Sequence, residues 1–371
     1  MRSVGVEEEY LLVDDEGVPA PRAPQALAAG GDPVLPGGPE EVADADGPGG
    51  ELEAELKQQQ LETSTPPCAD LETLAGELRE GRARAGRAAG RAGARAVALA
   101  TSPQPFASTV TPEPRYREMS RLFGLTAREQ LTCGCHVHVA VDSPDEGVAA
   151  IDRIGVWLPV LLALSSNSPF WRGEETHYAS YRAQVWNRWP TSGPTQPFGS
   201  VAAYRAAVDR LVATGTALDE GMVYFDARLS ARYPTVEVRV ADVCLDLEDA
   251  VLLAALARGL VETAVRDAAA GATAPDVRLE LRRAASWRAS RSGMREDLLS
   301  PTTFRPVPAA DAVAALLAHT QGALADAGDL ERVTDRVAQL VDRGTGADTQ
   351  RRWRADGLPA LVERAALRTL A

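Results

Sequence analysis

The segment GVEEEYLLV (Gly5–Val13) decides how the chain arranges its chemistry. Side chains alternate across an extended backbone, so Glu7 and Glu9 share one face while Val6, Glu8 and Tyr10 share the other. Two carboxylates about 7 Å apart on one strand face repel each other unless a cation lies beside them. A solvated edge strand would also relieve the repulsion. Leu11, Leu12 and Val13 argue instead for a buried strand, where unpaired acids are costly.

Three more extended segments read the same way. In ELEAELKQQQLETST (Glu51–Thr65), Glu51, Glu53 and Glu55 alternate together and Glu62 follows seven residues after Glu55. That odd spacing puts Glu55 and Glu62 on opposite faces of an ideal strand, so a bulge or turn must intervene if both serve one site. A polar helix with Glu51 and Glu55 one turn apart is the alternative. In TCGCHVHVAV (Thr132–Val141), Cys133, Cys135 and Val137 face one way and Gly134, His136 and His138 the other. A tetrahedral zinc site using both pairs would therefore have to break the strand. Two imidazoles behind a glycine suit a ligand or a phosphate. In ARLSARYPTVEVRVADVC (Ala227–Cys244), Thr235, Glu237, Arg239 and Ala241 oppose Val236, Val238 and Val240. Such a strand turns its polar face into a site and its apolar face to the core. Taken together, the four segments offer a hard-oxygen cation site with an anion clamp, suited to Mg²⁺ and nucleotide phosphates.

A fifth segment, Ser165–Pro194, concentrates Phe170, Trp171, Tyr178, Tyr181, Trp186 and Trp189 in a polar, Gly/Pro-punctuated stretch with Arg172, Arg182 and Arg188. Such loops carry recognition as often as core filler, and any of the three arginines could hold a substrate carboxylate or phosphate.

Outward from these segments, Asp14–Gly50 reads as a long loop with a short helix near Ala23–Ala29. Asp70 is a candidate N-cap for a helix carrying Leu71, Leu74 and Leu78. That helix runs into GRARAGRAAGRAGARA (Gly81–Ala96), where Arg84, Arg87, Arg91 and Arg95 recur at helical spacing and form a solvated face. Ala96–Thr101 reads as a strand, Gly147–Ser165 and Leu247–Ala268 as apolar helices, Asp226–Val243 as a strand pair or long strand, and the tail from Pro308 as helical. Strands interleaved with helices without regular βαβ spacing predict an α+β fold with an antiparallel or mixed sheet.

The net charge of −13 excludes a basic nucleic-acid or anionic-membrane surface. Lys57 is the single lysine, and no GxxxxGK[ST] surrounds it; no GxGxxG opens a helix either. Three glutamates in the first ten residues argue against an export signal. Four cysteines in 371 residues do not make a disulfide scaffold, which predicts a reduced, cytoplasmic setting. The longest apolar run, Ile154–Leu164, is too short to span a bilayer.

In order along the chain, GVEEEYLLVD (Gly5–Asp14), ELKQQQLETST (Glu55–Thr65), TCGCHVHVAV, LLALSSNSPFWRG (Leu161–Gly173), ASYRAQVWNRWPTSGP (Ala179–Pro194) and the block Tyr224–Cys244 resemble the carboxylate-amine ligases of the glutamate-cysteine ligase type 2 family. The resemblance implies a single catalytic domain over residues 1–371 with a glutamine-synthetase-like fold. In that fold a curved antiparallel sheet holds ATP and divalent metal on its concave face and carries helices on the outer face. It implies ATP-dependent joining of an amino-acid carboxylate to an amine through an acyl phosphate, with glutamate and cysteine as the nominal pair. Carried over residue by residue, it makes Glu7, Glu9, Glu55, Glu62 and Glu237 metal ligands. His138 then contacts nucleotide phosphate or metal and Arg239 stabilises the transferring phosphoryl; His136, Arg239 and Arg172 are expected nucleotide contacts, and Arg239 and Glu62 the expected catalytic groups. Small amino-acid and amine substrates are then the partners, nucleic acid and membrane are not, and a homo-oligomer is compatible. The insert Asp14–Gly50 departs from the family pattern. From the residues alone, a metal-dependent hydrolase or a non-catalytic nucleotide-binding protein stands as the rival reading.

Overall fold

A computed structural model describes residues 1–30 and 49–371. One seven-stranded antiparallel sheet positions the site. Its strands are β1 (Val4–Val13), β2 (Leu52–Ala54), β3 (Gln60–Ser64), β4 (Arg95–Val97), β5 (Gly134–Ala140), β6 (Ala227–Leu229) and β7 (Thr235–Asp242), in spatial order β2-β3-β1-β5-β7-β6 with β4 also on β1. The register aligns Glu53 with Glu62 and Glu62 with Glu9, Glu7 with His136, and His138 with Glu237, itself opposite Arg228. These paired residues of β1, β2, β3, β5, β6 and β7 thus come to the same face.

The other face is the core. Val4, Val6, Cys135, Val137, Val139, Val236 and Val238 pack there against the helices Leu71–Arg91, Pro144–Ile154, Leu158–Ser165 and Leu247–Ala269. The last of these is buried over most of its length, which follows from an apolar sequence that leaves little amphipathic contrast. Asp70 caps the first helix by accepting from Thr73 N, as the sequence predicts. Arg87 and Arg91 of the alanine-arginine stretch are exposed, and the tail forms four helices from Ala309 to Thr369. The short helix near Ala23 is present as Ala23–Gly30, while most of the Gly/Pro-rich insert that follows lies outside the described residues.

Two expectations are corrected. Gly147–Ser165 is not one helix but two, Pro144–Ile154 and Leu158–Ser165, meeting at 72°. Pro159 has no N–H to return to Gly155 and its ring would strike that carbonyl, so the helix must restart. Among the described residues no single helix is long and apolar enough to cross a membrane. Ala241 does not share the polar face with Glu237 and Arg239. A bulge shifts the register between Cys135/Ala241 and Val137/Val238, turning Ala241 into the core.

The sheet's core face also holds an acid. Glu8 is fully buried and takes both arms of Arg82, Nη2 to Oε1 at 2.6 Å and Nε to Oε2 at 2.9 Å, with the Tyr10 hydroxyl donating to Oε2. Arg82 also donates to the Cys244 and Leu245 carbonyls, tying β1 and the Leu71–Arg91 helix to the end of β7. One arginine of the biased stretch is therefore internal, and its neighbours are not. Breaking one side of such a pair strands a buried charge, so Arg82→Met should lower unfolding free energy by about 3–5 kcal/mol in urea titration; a loss below about 1 kcal/mol would show that Glu8 has another counter-charge.

Candidate functional site

The polar face gathers Glu7 and Glu9 from β1, Glu62 from β3, His136 and His138 from β5, Glu237 and Arg239 from β7, and Glu55 from the turn before β3. The turn at Glu55–Gln59 resolves the parity problem. Pairing of Leu56 and Gln58 with Thr111 and Thr109, and donation from Thr111 Oγ1 to the Glu55 carbonyl at 2.6 Å, bend the chain so that Glu55 meets Glu62. Glu9, Glu55 and Glu62 then present ligand oxygens within 4.8 Å of one another. The ligand atoms of Glu7, Glu62 and His136, and those of Glu7, His138 and Glu237, carboxylate oxygens and imidazole nitrogens together, lie equally close. These three groups share Glu7 and Glu62, forming a continuous chain of oxygen and imidazole donors across the sheet.

The site divides electrostatically. At the β7 end, Glu237 accepts from Arg228 (Nε to Oε2 2.7 Å) and pairs with Arg239. Burial opposes its ionisation, but Arg239 and Arg228 outweigh that and hold its carboxyl well below the usual range. Glu7 lies between the imidazoles, 3.2 Å from His136 Nδ1 and 3.1 Å from His138 Nε2. Burial is again outweighed, here by the histidines, so Glu7 ionises easily and His138 titrates above its ordinary value. At the β3 end no arginine among the described residues pairs with Glu9, Glu55 or Glu62 directly. Burial, reinforced by Glu55, pushes Glu9 up to about 7 and Glu62 well above the usual carboxylate range. That end therefore keeps its acids protonated until a cation displaces the protons.

The donor chemistry fits a divalent metal and phosphate. Clustered carboxylate oxygens match Mg²⁺, whose preference is for oxygen. His136 Nε2 is buried without a hydrogen-bond partner among the described residues, while burial and Arg239 push its pKa down to about 4, which leaves the ring neutral and able to ligate or donate near neutral pH. His138 is oriented by Thr235 Oγ1 at 3.0 Å from Nδ1.

Gly134 makes the cluster possible. A Cβ there would lie 2.2 Å from Arg182 Nη2 and 3.0 Å from His136 Nε2, and its N–H donates to Glu9 Oε2 at 2.6 Å. Of the three arginines expected in the aromatic segment, only Arg182 comes to the sheet, buried and donating to the Val240 carbonyl. Arg172 stacks on Phe106 and, with Arg188, faces Glu129; the structure does not bring it to the glutamates. Trp189 and Phe170 are core residues, whereas Trp186 and Tyr224 lie beside Arg239, with ring centroids 5.8 Å from its guanidinium carbon. Cys133 and Cys135 are buried, reduced and far from ionising. Sequence reading missed Arg228. The hairpin that sets Ala227–Leu229 against Val236–Val238 was its one available signal. A cavity of about 360 Å³ opens beside Arg228 and Thr235, lined also by Tyr204, Ser230 and Tyr233.

Residues 3–364 match the model of glutamate-cysteine ligase family 2 (GCS2). The chain is 52% identical over 351 residues, covering 95% of it and 94% of the relative, to a Streptomyces coelicolor protein provisionally named glutamate–cysteine ligase 2. Among solved structures it is similar to glutamate–cysteine ligase from Francisella tularensis in complex with AMP (TM-score 0.70, 14% identity, 100% of this chain and 89% of that one). A bifunctional glutathione synthetase from Pasteurella multocida also matches (TM-score 0.68, 16% identity, 99% of this chain and 52% of that one). These two likenesses establish the fold, an antiparallel sheet backed by helices. The sequence match establishes the kinship: the chain belongs to glutamate-cysteine ligase family 2 and is an ATP-dependent ligase that forms a carbon–nitrogen bond.

Proposed function

We propose that the protein activates an amino-acid carboxylate as an acyl phosphate and passes the acyl group to an amine, glutamate and cysteine being the pair to test first. The observation that carries this reading is the polarity of the one sheet face. An acid-rich end short of counter-charge adjoins an end where Arg228 and Arg239 surround a single ionised carboxylate. A carboxylate is a poor electrophile, and phosphorylation supplies the leaving group it lacks.

In this reading Glu7, Glu9, Glu55, Glu62 and Glu237 hold Mg²⁺, which when bound neutralises phosphate charge. His136 and His138 face the phosphates, and Arg239 stabilises the negative charge that develops as the γ-phosphoryl moves. The cavity beside Arg228 and Thr235 adjoins His138 through Thr235, which suits the nucleoside end of ATP. Positioning and electrostatics carry the reaction, and no protein nucleophile is required.

The reading is tested by incubating the protein with ATP, Mg²⁺ and panels of amino acids and amines, following ADP, phosphate and product mass. ADP formation that requires both substrates is expected. Turnover of a simple hydrolytic substrate with no nucleotide would overturn the proposal in favour of a metal-dependent hydrolase. Arg239→Ala should lower kcat by about 10²–10³, the usual effect of removing one transition-state donor, and Glu237→Gln should likewise abolish turnover; near-wild-type rates in either would remove β7 from the machinery.

The same assignment fixes a pH dependence. Both Glu9 and Glu62 titrate above a free carboxyl, so the metal-free fold loses their contribution to stability as pH rises from the ordinary carboxylate range through about 7. Metal binding must expel those protons. The rise in Tm produced by a fixed Mg²⁺ concentration should therefore grow between pH about 5.5 and about 8, and a pH-independent rise would place the cation elsewhere.

A further inference from the structure

One half-buried acid on the active face has no part in the chemistry so far. Asp226 immediately precedes β6, in line with Arg239 of β7: its carbonyl accepts from Arg239 N at 2.9 Å, and the next residue, Ala227, pairs with Val238. Two residues before Arg228, it points its side chain to the same face as Arg228, Glu237 and Arg239. Its carboxylate has no ion-pair partner within 4 Å among the described residues, although Arg239 and Arg182 line the same cavity. Their attention is elsewhere: Arg239 pairs with Glu237, and Arg182 donates to the Val240 carbonyl and lies against Gly134.

The cavity is small, about 30 Å³, and is walled by Trp186, Asn187, Pro194 and Tyr224. A water-sized group needs roughly 10–15 Å³ by this measure, so the space takes about two such groups. Its polar walls are of opposite sign. Asp226 offers an unpaired acid, while Arg182 Nε and Arg239 Nε are buried donors without acceptors. An uncompensated carboxylate and orphaned guanidinium donors in one small space complement a ligand head bearing both charges.

Building on the acyl-phosphate reading, we infer that this cavity receives the head group of the amine substrate, an α-amino acid, with its ammonium on Asp226 and its carboxylate on Arg182. The ammonium must lose a proton before its nitrogen can attack. Asp226 accepts that proton; the nitrogen lone pair then bonds to the acyl carbon, and the bond from that carbon to the phosphate-bearing oxygen breaks. The second proton leaves the nitrogen as the adduct collapses, to the departing phosphate. Burial pushes Asp226 up to about 7, with Arg182 opposing, which suits a base that must take a proton near neutral pH. The groups facing it are Arg182 from the helix Tyr181–Trp186, Arg239 from β7 and the Tyr224 ring.

The test compares wild type with Asp226→Asn and Asp226→Glu. For Asp226→Asn, kcat/KM for the amino-acid amine should fall by about 10² or more, while KM for ATP and for the carboxylate substrate stays unchanged. Asp226→Glu should recover part of the loss. Hydroxylamine, uncharged at neutral pH and small, needs neither the acid nor the arginine, so hydroxamate formation from ATP and the carboxylate substrate should survive in Asp226→Asn. Wild type should also prefer the amino acid over its decarboxylated amine. An Asp226→Asn protein that is unfolded, that loses both substrates' use equally, or that uses the amine normally would overturn the assignment, as would equal use of the decarboxylated amine. Absence of hydroxamate from wild type would count against the acyl phosphate alone, because the split in KM does not depend on it.

Discussion

Glu7, Glu9, Glu62 and Glu237 share one face of one sheet with Glu55 from the turn beside it, and the cost of holding that many carboxylates together sets the terms for everything around them. Repulsion and desolvation can be met by protons, by resident cations or by bound ones. Protons and resident cations are both at work in this face. Arg228 and Arg239 settle Glu237, the two imidazoles settle Glu7, and Glu9 and Glu62 are left to hold protons until something positive replaces them.

A surface of this kind needs a rigid support. The helices behind the sheet supply it, most of all Leu247–Ala269, whose buried side chains fill the space against β5 and β1. The Glu8–Arg82 pair performs the same service from within, since its guanidinium also grips the chain just beyond β7. The two sides of β1 therefore carry acids for opposite purposes. Glu8 has a permanent internal partner, while Glu7 and Glu9 face the open side.

Much of this was legible in the residues because strands obey a strict two-residue period. Alternation alone separated Glu7 and Glu9 from Glu8, and His136 and His138 from the cysteines, and it flagged the need for a turn between Glu55 and Glu62. The same rule failed at Ala241, where a bulge breaks the period, and at Gly147–Ser165, where Pro159 interrupts an apolar run that otherwise reads as continuous. Arg172, Arg182 and Arg188 were equivalent in sequence, and nothing local told them apart.

The sequence by itself determined which side chains share a strand face, because that depends only on parity along a short extended segment. Only the tertiary structure decided which faces meet and which charges find partners. Arg182 reaches the sheet because Gly134 leaves room for it; Arg172 stays with Phe106 and Glu129; Arg82 goes inward while Arg87 and Arg91 stay out. Asp226 carried no signal at all, since a lone aspartate before a strand is ordinary. It stands out only where register sets it beside Arg239 in a cavity where it has no ion-pair partner among the described residues, a relation between residues distant along the chain.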